Sequence, residues 1–433
     1  MNAIKVKSNI SFPLRYYLLL IIVVLSCSKE EEQKSYDGDV VLETQEDVNN
    51  FGALGITVLN GNLRIGGYED NYGHVYTKTT AISNISPLNT LTRINGDILI
   101  QNDSSLTSLE GLQNVILVEG TLSIYSLDKL QEIKDFQSLR RIGKDLLVRN
   151  YPPSEIVSVS FNNLSEIQGD IFILSETRVE LMKLASIGGN ITISAIEIYG
   201  MEQLSSVEGN VEIHGSINSL DNLQKIGGDL TTCSSNSFPN VQSINGVLNI
   251  TRDCYPALEN CEFPNLENVG GLIFRCCLEN FNGFKNLKAI HGDFIIEETN
   301  IIDFLGLEKL ASIGGNLEIL RNYNLYSLKG LEGISSIGND LNVQFCYFPN
   351  LDPLQNLKSV KNITISNCYF VENLNGLSNI TTCEGLLITD NFSLADFCGL
   401  KPVLEKSPNA SFYSNLNKYD PSKSDILFGI CSN

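Results

Sequence analysis

The sequence contains no tryptophan, three histidines (His74, His214 and His291), three methionines, and only thirty basic side chains against fifty acidic ones. Histidines so few and so far apart, without an H-E-x-x-H or H-x-x-x-H arrangement, give a zinc site little support, and no metal or cofactor is expected. The shortage of Lys and Arg leaves a formal charge of −20, which repels phosphate backbones and argues against nucleic acid as a partner. Phosphate-binding glycine loops, a G-x-S-x-G elbow, C-x-x-C pairs, kinase-type signatures and calcium-loop spacing are also missing, so no familiar catalytic class announces itself. Nor is there an apolar run of the roughly 20 residues a spanning helix needs. The nearest approach, residues 18–25, is too short.

That short run belongs to an address. Lys5, Lys7 and Arg15 precede it without an intervening acid, as in an export signal, and it ends in Val24-Leu25-Ser26-Cys27. This ending resembles the lipobox of bacterial lipoproteins, which implies a signal peptide over residues 1–26 and a diacylglycerol on Cys27 that anchors the chain to the outer membrane. Ser28-Lys29-Glu30-Glu31-Glu32 follows and resembles the surface-export signal of some Gram-negative lipoproteins, which implies display on the cell surface, with the periplasmic face as the alternative. The polar stretch over residues 27–50 is expected to be a flexible tether. Of eleven cysteines, ten remain once Cys27 is lipidated, an even number that suits pairing in an oxidising compartment.

Self-similarity organises the rest. One pattern recurs: apolar, two variable residues, Ile or Val, one variable, Gly, one variable, Leu or Ile, one variable, Ile. Clean copies run Leu184-Ala-Ser-Ile187-Gly-Gly189-Asn-Ile191-Thr-Ile193 and Leu310-Ala-Ser-Ile313-Gly-Gly315-Asn-Leu317-Glu-Ile319. The fourth position anchors fifteen copies, at Leu59, Ile94, Val118, Ile142, Ile167, Ile187, Val207, Ile226, Ile244, Val269, Ile290, Ile313, Ile337, Val360 and, degenerately, Cys383. Twelve of the fifteen have Gly two places later, which suggests a corner of positive φ; of the exceptions, Asn339 and Asn362 tolerate such a corner, while Lys144 leans on Gly143 beside it. The alternation past the glycine is that of a strand with one buried face. So short a strand is stable only when stacked on its neighbours, giving a rod roughly 70 Å long at about 4.8 Å per rung.

A looser second segment, as in Leu106-Thr-Ser-Leu109-Glu-Gly-Leu112 and Leu325-Tyr-Ser-Leu328-Lys-Gly-Leu331, completes each coil. Here the sequence resembles the receptor L-domain, a leucine-rich β-helical module of receptor ectodomains and bacterial surface proteins. The resemblance implies a mainly β fold, a right-handed β-solenoid of about fifteen rungs over residues 51–400, with flat faces that bind proteins or other ligands, and it carries over no catalytic residue. Two irregularities interrupt the array. The interval from Leu59 to Ile94 is long and contains Gly66-Gly-Tyr-Glu-Asp-Asn-Tyr-Gly73, expected to loop out or make a partial coil, and a bend is expected over residues 234–265, where Pro239, Pro256 and Pro264 cluster. Residues 401–433 read as a cap that shields the last rung. Cys398 and Cys431 bracket it and are expected to pair.

Three constellations are candidates for function. Asp97, Asp145, Asp170, Asp229, Asp293 and Asp340 each follow the glycine position by one residue, either to solvate the sheet or, as in polysaccharide-cleaving β-helices, to catalyse. Cys346-Tyr347-Phe348 and Cys368-Tyr369-Phe370 are one rung apart, so Cys346 and Cys368 are candidates for a disulfide, and Tyr323, Tyr347, Tyr369 and Phe392 should form a column. The plainer reading of that column is a ladder packing a corner; the sharper one is an exposed platform that stacks on sugar rings or anchors a partner's surface. Cys233, Cys254, Cys261, Cys276 and Cys277 form a second cysteine cluster without assignable partners. The expected function is a non-catalytic binding lipoprotein for a protein or glycan, an adhesin or uptake accessory; a polysaccharide-active enzyme and a passive surface coat or spacer are the alternatives.

Overall fold

A computed structural model describes residues 33–68, 79–149, 156–217, 220–233, 236–251, 262–275 and 278–433. The chain is a mainly β solenoid of about fifteen turns of short parallel strands with few helices. Its longest ladder keeps its inward residues paired from rung to rung, with irregularities at Ser194/Glu197 and Ile244/Val247, matching Leu63 with Ile98, Ile98 with Leu122, Leu146 with Ile171, Ile191 with Val211, Leu272 with Phe294, Phe294 with Leu317, and Leu341 with Ile363. Register follows from the pattern, because a slip of one residue would turn every inward aliphatic to water. A second face carries the anchors, two residues per strand, as in Arg93–Ile94, Leu117–Val118 and Arg141–Ile142. Ile187, Val207 and Ile226 are 5%, 1% and 0% exposed, so the anchors point inward as expected.

The ladder starts one strand before the first anchor and ends one strand after the last. Strand β1 (Ser35–Asp37) pairs with Val58–Asn60, and β2 (Val40–Leu42) pairs with Leu63–Gly66. Helix α1 (Gln45–Gly52) follows, opened by a capping box in which the Thr44 hydroxyl accepts the Asp47 N–H and the Asp47 carboxylate accepts the Thr44 N–H, and it buries Val48 and Phe51. The tether assigned to residues 27–50 is therefore corrected from Ser35 onward: polarity suggested a linker, but Val40, Leu42, Val48 and Phe51 all join the core. At the other end, helix α2 (Lys401–Lys406) leads into β3 (Ser411–Asn415), which pairs with Gly385–Thr389, and helix α3 (Lys423–Phe428) folds back against α2. Cys398 and Cys431 are joined by a disulfide, with Cα atoms 4.9 Å apart, and it closes the cap.

The recurring glycine has a role other than the expected one. From Gly61 to Gly385, none of the glycines two places past an anchor lies at positive φ. A Cβ at Gly120, Gly169 or Gly315 would instead collide with the Oδ1 of Asp97, Asp145 or Asp293 on the rung before. Those oxygens accept backbone N–H groups of the following rung: Thr121 (2.9 Å) on Asp97, Asp170 (2.8 Å) on Asp145, Asn190 (2.7 Å) on Asp170, Val247 (2.7 Å) on Asp229 and Asn316 (2.7 Å) on Asp293. Asp340 takes the Asn362 side-chain amide (2.8 Å). Glycine is thus needed for close approach, and the candidate aspartates form a rung-to-rung hydrogen-bond ladder. Asparagines four places before the anchors build another, donating Nδ2 to carbonyls of the previous rung, as from Asn114 to Asn89, Asn286 to Pro264 and Asn356 to Glu332, each at 2.8 Å.

The long interval does not disturb the stack, since Leu59 pairs with Ile94 and Ile65 with Ile100 across it. Most of the glycine-rich loop expected there lies outside the described residues, as do Pro256 and Cys254, Cys261, Cys276 and Cys277, while Cys233 ends the strand Leu230–Cys233. The ladder continues through the expected bend with one register shift between Ile244 and Val247. Cys27, the signal segment and the chain up to residue 32 also lie outside the described residues. No described helix is long and apolar enough to cross a membrane.

Candidate functional site

Positive φ appears at a different corner, at the end of the long strand. Ser126, Glu298, Arg321, Phe345, Asn367 and Asp390 all sit there at φ between 54° and 61°, one per rung. A left-handed residue reverses the sense of side-chain alternation locally, so the next residue turns inward and the one after it outward. On the last rungs the inward residues are Asn322, Cys346, Cys368 and Asn391, each 0% exposed. The outward ones are Tyr323, Tyr347, Tyr369 and Phe392.

The buried file holds the corner by saturating backbone groups that the sheet cannot reach. Asn322 Nδ2 donates to the carbonyls of Ile296 (2.9 Å) and Leu320 (3.0 Å), while its Oδ1 accepts the N–H (2.9 Å) and hydroxyl (2.7 Å) of Thr299. Asn391 repeats the scheme with the Ile365 carbonyl (3.0 Å) and the Cys368 N–H (2.9 Å). Between them, Cys346 directs its thiol at the carbonyls of Gln344 (3.4 Å) and Ile319 (3.6 Å), and Cys368 at those of Ser366 (3.4 Å) and Val343 (3.8 Å). Both are free thiols, so the disulfide expected from their stacking is not formed. Register neighbours on parallel strands lie about 4.8 Å apart with parallel Cβ directions, whereas a disulfide wants convergent Cβ atoms about 3.8 Å apart. The Cys368 thiol beside it, and then burial, push the Cys346 thiol well above its usual range and keep it protonated.

On this pedestal the rings form the expected column, and it faces water. Tyr323, Tyr369 and Phe392 are 48%, 36% and 59% exposed, with Tyr347 half-buried between the first two. Successive ring centres are 5.7, 6.4 and 5.4 Å apart; the planes of Tyr369 and Phe392 are 9° from parallel, and the others tilt by 34° and 59°. Phe370, itself 54% exposed, meets Tyr347 edge-on at 5.4 Å and widens the patch. Beside the Tyr323 end lies an ion cluster in which Arg321 bonds Glu297 and Glu298 (2.9 Å) and Arg275 bonds Glu297 (2.9 Å). The Glu298 hydrogen bond and the charge of Glu297 raise the pKa of Arg321.

A catalytic reading would need titratable groups converging in a cleft. Glu318, on the long face, is raised above the ordinary carboxylate range by burial first, then by Asp293 and Glu297. Around it, however, Asp293 and Asp340 are engaged in the rung-to-rung ladder, and Glu297 is held by Arg275 and Arg321. A concavity of about 600 Å³ opens beside the cap, where the anchor face narrows to the single bridges Ser336–Ser359–Thr382. It holds one carboxylate, Glu384, with Lys361 and Lys406, all exposed. Among the described residues, no group of three or more His, Cys, Asp or Glu side chains is placed to hold a metal ion.

No family model matches the chain, and no curated protein matches it. Among solved structures, a leucine-rich-repeat protein of Leptospira interrogans aligns over 88% of this chain and 90% of its own, at 14% identity and a TM-score of 0.32. The chain's own strand register and buried aliphatic rows make it a β-solenoid of stacked repeats.

Proposed function

We propose that this chain is a non-catalytic binding lipoprotein with receptor L-domain-like repeats, tethered to the outer membrane through Cys27 and displayed at the cell surface, which engages a protein or glycan ligand as an adhesin or uptake accessory. The observation that carries the binding role is the exposed aromatic column Tyr323, Tyr347, Tyr369 and Phe392. Aromatic rings left in water on a rigid frame cost little entropy to dock and are the side chains on which binding energy concentrates. Their exposure favours the platform reading over a ladder that packs a corner.

Placement along the rod supports the same reading. Ser35 lies eight positions after Cys27, a reach of at most about 28 Å, so a lipid on Cys27 holds the first rung close to the membrane. The column begins twelve rungs further on, about 58 Å along the axis, where a ligand outside the cell meets it without obstruction. Protease shaving of intact cells tests the display, which requires loss of the protein from unlysed cells. A pull-down from the native host with the intact protein and with a Tyr347→Ala/Tyr369→Ala variant tests the role. The variant is expected to lose the captured ligand while keeping its fold; hydrolysis of a polysaccharide panel by both proteins would contradict the non-catalytic reading.

A further inference from the structure

Resting on that binding reading, we infer that the ligand of the aromatic column is a neutral, linear glycan lying parallel to the solenoid axis, with about one sugar unit over each ring. The first reason is translational repeat. Four rings recur once per rung in one file, with steps of 5.7, 6.4 and 5.4 Å. The surface of a folded protein partner has no such repeat, whereas a linear glycan offers the same chemical face at regular intervals along its length. A sugar ring also has the right two-sided chemistry. Its C–H face is apolar and slightly positive and packs against an aromatic π-system, while its hydroxyls need hydrogen-bonding partners at the edge.

The column supplies exposed ring surface together with polar groups. Three of its four rings end in phenol hydroxyls, and the left-handed corner residues Arg321, Asn367 and Asp390 run beside them, two residues before Tyr323, Tyr369 and Phe392. Charge selects among glycans. The chain carries a formal −20; of the two cations at the ends of the file, Arg321 is already committed to Glu297 and Glu298, and Lys418 stands one rung beyond Phe392. A polyanionic chain would meet net repulsion along the rod, and a neutral one would not.

The test uses the full-length lipidated protein in detergent, titrated calorimetrically with neutral oligosaccharides of one to six units from the gluco-, manno-, xylo- and N-acetylglucosamine series, with polygalacturonate as the anionic control. In at least one series the affinity should climb with each unit and level off at four or five. Tyr369→Ala should weaken the hexamer tenfold or more, Tyr369→Phe should retain most of the affinity, and polygalacturonate should bind at least tenfold more weakly than the best neutral chain. Unchanged circular dichroism and melting temperature of Tyr369→Ala establish that the fold is intact. Absence of binding across the neutral series, affinity independent of length, or indifference to Tyr369→Ala overturns the glycan assignment. If Tyr369→Ala then still abolishes capture of a protein from host extract, the binding role stands with a protein ligand; if it abolishes nothing, the binding role falls as well.

Discussion

The same corner is built differently in the early and the late rungs. In the early rungs the left-handed residues Asn102 and Ser126 are followed, two places on, by Ser104 and Asp128, and at Glu298 by Asn300. In the four rungs before the terminal strand the corresponding position holds Tyr323, Tyr347, Tyr369 and Phe392, and past the left-handed Leu416 that follows the terminal strand it holds Lys418. The backbone turn is shared, so the fold does not require a ring at that place. The inward position varies in parallel: Asp103 and Leu127 near the start, Thr299, Asn322, Cys346, Cys368 and Asn391 later. Both positions differ between the regions, and the outward change, from short polar side chains to rings in water, is the one that calls for a functional explanation.

Substitutions graded by expected size sharpen the comparison. Phe294 lies in the interior beside Phe281 and Phe304, 0% exposed, and Phe294→Ala should cost about 3–5 kcal/mol in chemical denaturation. The exposed ring Phe392, truncated the same way, should shift stability by less than about 0.5 kcal/mol; equal losses would mean that the column is packing and not platform. Asn322→Ala strands the Ile296 and Leu320 carbonyls and should cost about 1–3 kcal/mol.

Glu318→Gln should raise the melting temperature at pH 7. A carboxyl whose pKa is raised by folding contributes stability that is complete below its ordinary value near 4.5 and is lost as pH rises through the raised one, so the gain should vanish near pH 4. A pH-independent gain would remove burial of the charge as its cause. Smallest of all, Asp128→Tyr places a ring on an early rung in the register of Tyr347 and should change stability by no more than about 0.5 kcal/mol. A loss of several times that would show that the early corner itself rejects rings.

The solenoid was legible because the aliphatic rows sit at fixed offsets from each anchor and bury themselves only in one register. One further copy precedes the fifteen: Tyr36-Asp-Gly38-Asp-Val40-Val-Leu42 keeps the spacing with tyrosine, not an aliphatic residue, at the anchor place, and Tyr36 pairs with Leu59. Thr44 and Asp47, spaced as a capping box, were the further signal that folded structure starts before residue 50. The glycines were visible but their cause was not, because the collision they avoid is with a side chain a whole rung away. The column was likewise legible as a file of aromatic residues, while its exposure depended on a left-handed turn at residues as unlike as Arg321, Phe345 and Asn367, which no residue preference marks. Stacking of Cys346 over Cys368 was readable; the parallel directions that keep their sulfurs on backbone carbonyls were not.

Hydroxyl-radical footprinting with mass spectrometry, before and after saturation with the ligand captured from the host, tests the central claim most directly. The account predicts rapid modification of Tyr323, Tyr369 and Phe392 in the free protein, none at Phe281, Phe294 or Phe304, and protection of the three surface rings once ligand is bound. Rings already protected in the free protein, or equally reactive when ligand is saturating, would contradict it.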